Sequence, residues 1–334
     1  MNISIHKWDE VDIHQIAQLT LAAKRDSGRW GAEETIERAM KNLYTLKTSY
    51  RKLFGVKSPI VFLARSDGKL IGYLILFFKN HKKVEINPWF LDGHPLVFPN
   101  KNGKEIGTKL ISEVVKWTKK EGIETIELTI PWKLEENNRI YDEYEAWYGS
   151  HGFELKLKYV FMTCNLVKHA ITDVMIPSGF EIKQIRAVSK NALYQCYYDA
   201  FKTGDAQFFF YQTEKERREF FNKLTSSDAL NDVNSLVLMK DQQLIGFVYT
   251  IPYGEKKRNI SCMCIHPDFW GRKLGKFLLL LVMKRAALQG HRIMTLGTEP
   301  DMRAFQLYRK NGFKVTSGEI TYIWKNASKY VLAL

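Results

Sequence analysis

Cysteine is scarce in this chain, with four in 334 residues and no CxxC pair among them. That argues against a disulfide framework and for a reducing compartment, so a cytoplasmic protein is expected. Cys262 and Cys264 alternate with His266 in "CMCIH", which allows all three to share one strand face. No second His/Cys cluster completes a site, so no metal is expected. Long apolar runs are also missing. The best candidate, Phe277 to Met283, is bracketed by Lys276 and Lys284 and falls far short of the roughly 20 residues a spanning helix needs. No membrane role is expected. The opening "MNISIHKWDEVD" has neither a basic n-region nor an apolar h-region, so it does not read as a secretory signal.

A concentrated Lys/Arg block is absent too, although the net charge is +14. Up to residue 170 there are 26 basic against 21 acidic residues, or +5; the remainder has 24 against 15, or +9. This balance favours anionic ligands and repels polycations, and without a block it speaks only weakly for nucleic acid. With 45% hydrophobic and 26% charged residues, the chain has the composition of a globular protein. Its length suffices for two domains, each with its own core.

What is present is one pattern written twice. In the second half, "SLVLMKDQQLIGFVYTIPYGEKKRNISCMCIHP" holds three β-branched runs separated by turns, an antiparallel meander. A basic glycine turn and an apolar helix come next, "WGRKLGKFLLLLVMKRAALQG". Then come a strand "RIMTLGT", a helix "DMRAFQLYRKNG" with Gly312 as its left-handed cap, and a closing strand pair "FKVTSGEITYIWK". The first half repeats this order. It has a hairpin turned at Asp67-Gly68, "KVEINPWFL", the turn and helix "NGKEIGTKLISEVVKWTKKEG", the strand "IETIELTI", and "YEAWYGSHGFELKLKYVFMTCNL". Tyr148 and Tyr308 correspond, as do Gly152-Phe153 and Gly312-Phe313. Each half opens with helix-forming segments. The fold class expected is therefore α+β, a mixed, mostly antiparallel sheet flanked by helices, in two tandem domains. Pro177-Ser178-Gly179 breaks the pattern and divides the chain into 1–170 and 178–334.

At this point the sequence resembles the GNAT superfamily of acyl-CoA-dependent N-acyltransferases, present twice. The second half carries the fuller match: Ile265-His266-Pro267, the turn Trp270-Gly271-Arg272-Lys273-Leu274-Gly275, Asp301-Met302-Arg303-Ala304, Tyr308 and Gly312-Phe313. The resemblance implies that this turn holds the CoA pyrophosphate, where unpaired amides and the helix dipole favour a dianion. Arg272, Lys273 and Lys276 add cationic contacts. It also implies that pantetheine lies along the strand edge Met263-Cys264-Ile265, with an amide there polarising the thioester carbonyl. Gly271, Leu274, Gly275 and Asp301 complete the donor site.

By the same resemblance Tyr308 protonates the departing thiolate. From their places in the sequence, Glu299 after the central strand and Glu255 in the hairpin loop are candidate bases for the amine, and His266 near the turn is another titratable group. Trp270 and Lys273 depart from the family pattern, which has Arg/Gln and glycine at those places. A helical φ at Lys273 would let lysine stand there without strain. Asp301 replaces an Asn. The first half departs further, because Glu105 falls where a glycine would face the pyrophosphate. That half is read as a non-catalytic or substrate-shaping copy.

The function implied is direct acetyl transfer from acetyl-CoA to a primary amine on a small molecule or peptide, catalysed in the second domain. No Ser or Cys nucleophile with a paired base is evident, which fits direct attack. A non-catalytic acyl-CoA sensor is an alternative. So is aminoacyl transfer from charged tRNA, against which the CoA-turn elements argue.

Overall fold

The computed structural model describes residues 1–27, 35–54, 57–86, 95–97, 102–133, 139–168, 174–225, 230 and 232–326. Two compact units emerge. One comprises Met1–Lys156 with Glu319–Leu334, the other Leu157–Gly318. The sequence pattern divides the chain inside 171–177; the units are drawn differently, since the end of each half is built into the other unit.

The first unit contains β1 (Asn2–Lys7), α1 (Ile13–Ser27), α2 (Ile36–Phe54), β2 (Ile60–Ser66) and β3 (Lys69–Phe78). Next come β4 (Lys83–Ile86), β5 (Leu96–Val97), α3 (Gly103–Lys120), β6 (Thr125–Lys133) and α4 (Arg139–Ser150). The order along its sheet is β1-β2-β3-β4-β6, followed by the end of β13 (Lys314–Lys325), and β5 pairs with β3. Asp67 (φ 50°) and Gly68 (φ 74°) turn the β2–β3 hairpin, as the Asp-Gly dipeptide predicts. β4 and β6 run parallel from Lys83↔Thr125 to Ile86↔Leu128. The apolar face of α3 (Ile106, Leu110, Ile111, Val114) packs on Phe62, Leu74, Leu76, Ile126 and Leu128. Ile320, Tyr322 and Trp324, contributed by β13, complete that core.

The second unit starts within β7 (Phe153–Asn165). It continues through β8 (Glu181–Gln184), α5 (Lys190–Thr203), α6 (Gln207–Phe210), α7 (Glu214–Leu224), β9 (Leu236–Lys240), β10 (Gln243–Pro252) and β11 (Lys257–Ile265). After these come α8 (Leu274–Leu288), β12 (Ile293–Thr298), α9 (Arg303–Lys310) and the start of β13. Its sheet order is β7-β12-β11-β10-β9-β8. Thr213 and Glu216 form a reciprocal cap on α7, each side chain satisfying the other's backbone amide. Gly312 (φ 86°) stands after α9, as expected of a left-handed C-cap.

One expectation is overturned. "FKVTSGEITYIWK" is a single strand, β13, where the sequence reads as a strand pair. Ser317-Gly318 looks like a turn but marks the place where the chain leaves one unit for the other. All four cysteines are buried free thiols.

Candidate active site

Parallel pairing between β11 and β12 covers four positions, from Lys257↔Ile293 to Ile260↔Leu296. β11 then runs on alongside β10 to Ile265 without β12, so the two strands part as a wedge whose apex is the Ile260–Leu296 pair. His266 donates its amide to the Ile245 carbonyl of β10 at 2.7 Å. By strand alternation Cys264 also turns its backbone to β10, whereas Met263 and Ile265 turn theirs to the side that β12 has left. Of the three edge residues expected from sequence, Met263 and Ile265 therefore line the open edge, and Cys264 sends its thiol into the core beneath α5.

At the wide end of the wedge the chain makes a sharp turn into α8. Gly271 has φ 77° and Lys273 φ 61°, both left-handed. The helical φ expected at Lys273 is thus not found. Lys273 is the N-cap, and α8 begins one residue later. An L side chain enters this region at a cost of about 1–2 kcal/mol. Phe277 donates to the Lys273 carbonyl, so the amides of Leu274, Gly275 and Lys276 precede the first intrahelical bond. Left-handed residues just ahead of a helix start make a concave amide surface suited to an anion.

The side chains around this turn hold it in place. Trp270 donates its indole N–H to the Ile265 carbonyl at 2.7 Å and so ties the turn to the strand edge. The Arg272 guanidinium lies over Phe269, 4.9 Å from the ring centre. Arg303 approaches the Trp270 ring at 5.8 Å. Asp301 is exposed at the approach to α9.

Tyr308, on α9, is buried, and burial raises its phenol well above the ordinary tyrosine range, with Cys262 and Tyr159 adding to the effect. It is therefore fully protonated at neutral pH. Glu299 lies just past β12 and is 3% exposed. Its two oxygens accept the amides of Gln207 and Phe208 at 2.9 Å each, which fixes the start of α6. Burial raises its carboxyl above the usual range, and the two amides only partly offset this. Glu255 is an exposed loop residue beside Lys256. His266 places Nε2 at 3.8 Å from the Asp199 carboxylate and Nδ1 at 3.6 Å from that of Asp268.

The model of the acetyltransferase (GNAT) family matches residues 28–149 and again 191–313, more than half of the chain. The chain belongs to the GNAT family. Members of this family transfer acyl groups and normally draw them from acyl-CoA. A GCN5-related N-acetyltransferase from Sphaerobacter thermophilus is similar over 97% of this chain and 95% of its own, with a TM-score of 0.60 at 15% identity. A tandem GNAT protein from the clavulanic acid biosynthesis pathway covers 97% and 98%, with a TM-score of 0.56 at 14% identity. A fungal multi-domain β-N-acetylglucosaminidase contains a glucosamine N-acetyltransferase region that covers 96% of this chain and 38% of that one, with a TM-score of 0.60 at 14% identity. At these identities the likeness is one of fold. The sequence comparison with curated proteins finds no match.

The first GNAT unit keeps the frame and fills the site differently. Asn102 caps α3 with φ −64°, and the helix starts at Gly103, so Asn102 to Gly107 contains no left-handed residue. Glu105 accepts from Asn102 at 3.2 Å and pairs with Lys109 at 2.7 Å. The Lys109 bond and then the Asn102 bond hold its carboxyl below the ordinary range. This helix N-terminus already carries its own anion. A Cβ on Gly107 would stand 3.1 Å from the Trp147 ring, whose N–H reaches the Thr108 hydroxyl at 3.1 Å. Tyr148, the counterpart of Tyr308, is fully buried and stacks on Tyr322 with ring centres 5.3 Å apart. The segment after Ile86 and the long insertions of this half lie largely outside the described residues.

Two features were not legible from sequence. Trp270 is a polar tie between turn and strand, not only a replacement for Arg or Gln. Gly297 on β12 lies against the Tyr159 ring of β7. A lone glycine inside a strand is the one signal that points there, because it marks a close approach. Among the described residues no cluster of three or more metal-ligating side chains occurs. No described helix is long and apolar enough to cross a membrane.

Proposed function

We propose that the protein is an N-acetyltransferase that moves the acetyl group of acetyl-CoA to a primary amine on a small molecule or peptide, with catalysis in the second unit. The observation that carries this reading is the left-handed amide turn at Gly271–Lys273, set at the mouth of the β11–β12 wedge. The turn's amides with Arg272, Lys273 and Lys276 would hold the pyrophosphate; the Met263 and Ile265 backbone would pair with the pantetheine arm. An amide on that edge would polarise the thioester carbonyl. Asp301 would add a carboxylate that tempers the cationic end.

In the transfer the amine nitrogen forms the new N–C bond while the C–S bond breaks. Tyr308 gives its proton to the departing sulfur. Glu299, held by two amides and made more basic by burial, takes the proton lost by the amine; its carboxylate has lone pairs to spare beyond the two amide bonds. No acyl-enzyme is formed: Cys262, the thiol nearest the wedge apex in sequence, is a core thiol whose proton burial holds tightly.

Two measurements test the reading. Acetyl-CoA binding is titrated calorimetrically against Lys273→Glu and Lys104→Glu. The first substitution should weaken binding by roughly tenfold or more, since it replaces a charge-assisted contact by repulsion; the second should change it little. Binding that fails only in Lys104→Glu would move the donor site to the first unit and overturn the assignment. Thiol release is then followed across a panel of amines. Tyr308→Phe should lower the rate by roughly 10²–10⁴ while donor affinity stays within a few-fold.

A further inference from the structure

Tyr159 belongs in sequence to the end of the first repeat, yet its ring sits in the second unit against β12. A Cβ on Gly297 would lie 2.4 Å from Cε1, 2.7 Å from Oη and 2.8 Å from Cζ of that ring. A side chain at 297 would have to displace that ring, so glycine lets the phenol pack against the bare strand. The place is specific. Ile260↔Leu296 is the last pair between β11 and β12, so Gly297 is the first β12 residue beyond the apex of the wedge. In the antiparallel register Phe161 opposes Gly297, and its ring lies 5.5 Å from that of Tyr159 at 73°.

The same face of the sheet is bridged at the apex by polar side chains. Thr295 donates to the Asn259 side-chain oxygen at 3.0 Å, and the Asn259 amide donates to the Ser261 hydroxyl at 3.0 Å. Ser261 is the first β11 residue beyond the last pair, as Gly297 is on β12. Both lips of the wedge are thereby held at its narrow end. Tyr159 also lies within electrostatic reach of Tyr308.

A ligand anchored on the turn at 270–275 would run along the edge from Ile265 back to Ile260, five residues or about 16 Å of strand. Its far end arrives at the apex, where the phenol of Tyr159 stands. From this placement we infer that Tyr159 is the residue that limits the acyl group of the donor to short chains such as acetyl and propionyl. The inference rests on the acyl-CoA reading of the wedge given above. The ring is an effective stop because Gly297 leaves it seated on backbone, and backbone cannot swing aside for a longer chain as a side chain could.

The test uses the full chain and three probes: CoA, acetyl-CoA and hexanoyl-CoA, each titrated calorimetrically. The natural protein should bind acetyl-CoA at least about tenfold more tightly than hexanoyl-CoA, the scale on which pockets discriminate chain length. In Tyr159→Ala that ratio should fall to within about twofold, and Tyr159→Phe, which keeps the ring, should retain it. Tyr159→Leu should give an intermediate ratio and serves if circular dichroism shows the alanine variant unfolded. A ratio that stays at the natural protein's value in Tyr159→Ala, or in Tyr159→Leu where the alanine variant is unfolded, overturns the inference and leaves the donor reading standing. So does equal binding of the two thioesters by the natural protein. Failure of the natural protein to bind any of the three probes sinks the donor reading, and this inference with it.

Discussion

Lys273 holds a left-handed backbone (φ 61°) at the head of α8, where glycine would be easier. Lys273→Gly should therefore raise stability by about 1 kcal/mol in chemical denaturation, while weakening acetyl-CoA binding through loss of the cation. Gain in one property with loss in the other would identify a residue retained for its ligand. Glu299 poses a complementary case. Glu299→Gln leaves one of the Gln207 and Phe208 amides without its oxygen, at a cost of about 1–3 kcal/mol. If Glu299 accepts the amine proton, the acidic limb of the kcat/KM profile that reports it should vanish in this variant. A limb that stays where it was would remove Glu299 from the chemistry and leave it as the anchor of α6. Glu127 gives a stability counterpart in the first unit. Burial alone would raise its carboxyl, but Lys156 and Lys83 outweigh that and hold it below its ordinary value of 4.5. The unfolded chain then binds the proton more readily, so this stabilisation is complete above about pH 4.5 and is lost as pH falls through the lower folded value. Thermal unfolding from about pH 6 to about pH 3 should show a smaller acid loss in Glu127→Gln than in the natural protein.

At the scale of elements, the difference between the two glycine turns is one of helix start. α8 begins after two left-handed residues, which leaves a concave run of amides; α3 begins at once behind Asn102 and spends its N-terminus on Glu105. Much of this was legible in the residues. The Asp67-Gly68 turn, the cap at Gly312 and the meander arise from local φ preferences, and the carboxylate at the head of α3 from the residue at position 105. The dihedral at Lys273 was not legible, because the rule that lysine avoids positive φ was outweighed by tertiary ties such as Trp270 to Ile265. Nor was Tyr159 over Gly297, since a diagonal contact between strands distant in sequence leaves no trace in either segment beyond one glycine. Ser317-Gly318 misled for the same reason: turn-forming residues can remain extended inside a long strand.

At the scale of the whole chain, the units trade their closing strands. Ile320, Tyr322 and Trp324 are made last and belong to the core of the first unit; Val160, Met162 and Cys164, made midway, pair with β12 of the second. Tyr322→Ala should therefore cost about 3–5 kcal/mol and lower hydrogen-exchange protection in α3 and β6 before that of α5 and β10. A fragment of residues 178–334 should lack the strand that covers β12 and fail to fold as a unit, as judged by near-ultraviolet dichroism. The traded strands also have a consequence in time. A ribosome at about 5–20 residues per second needs roughly 10–30 s to pass from Lys156 to Lys325. Throughout that interval the nascent first unit waits for the three side chains that finish its core, while the second unit already has β7 in hand. The half written first is thus the one completed last, and an arrested nascent chain ending near Gly318 should leave Met1–Lys156 the more readily digested part.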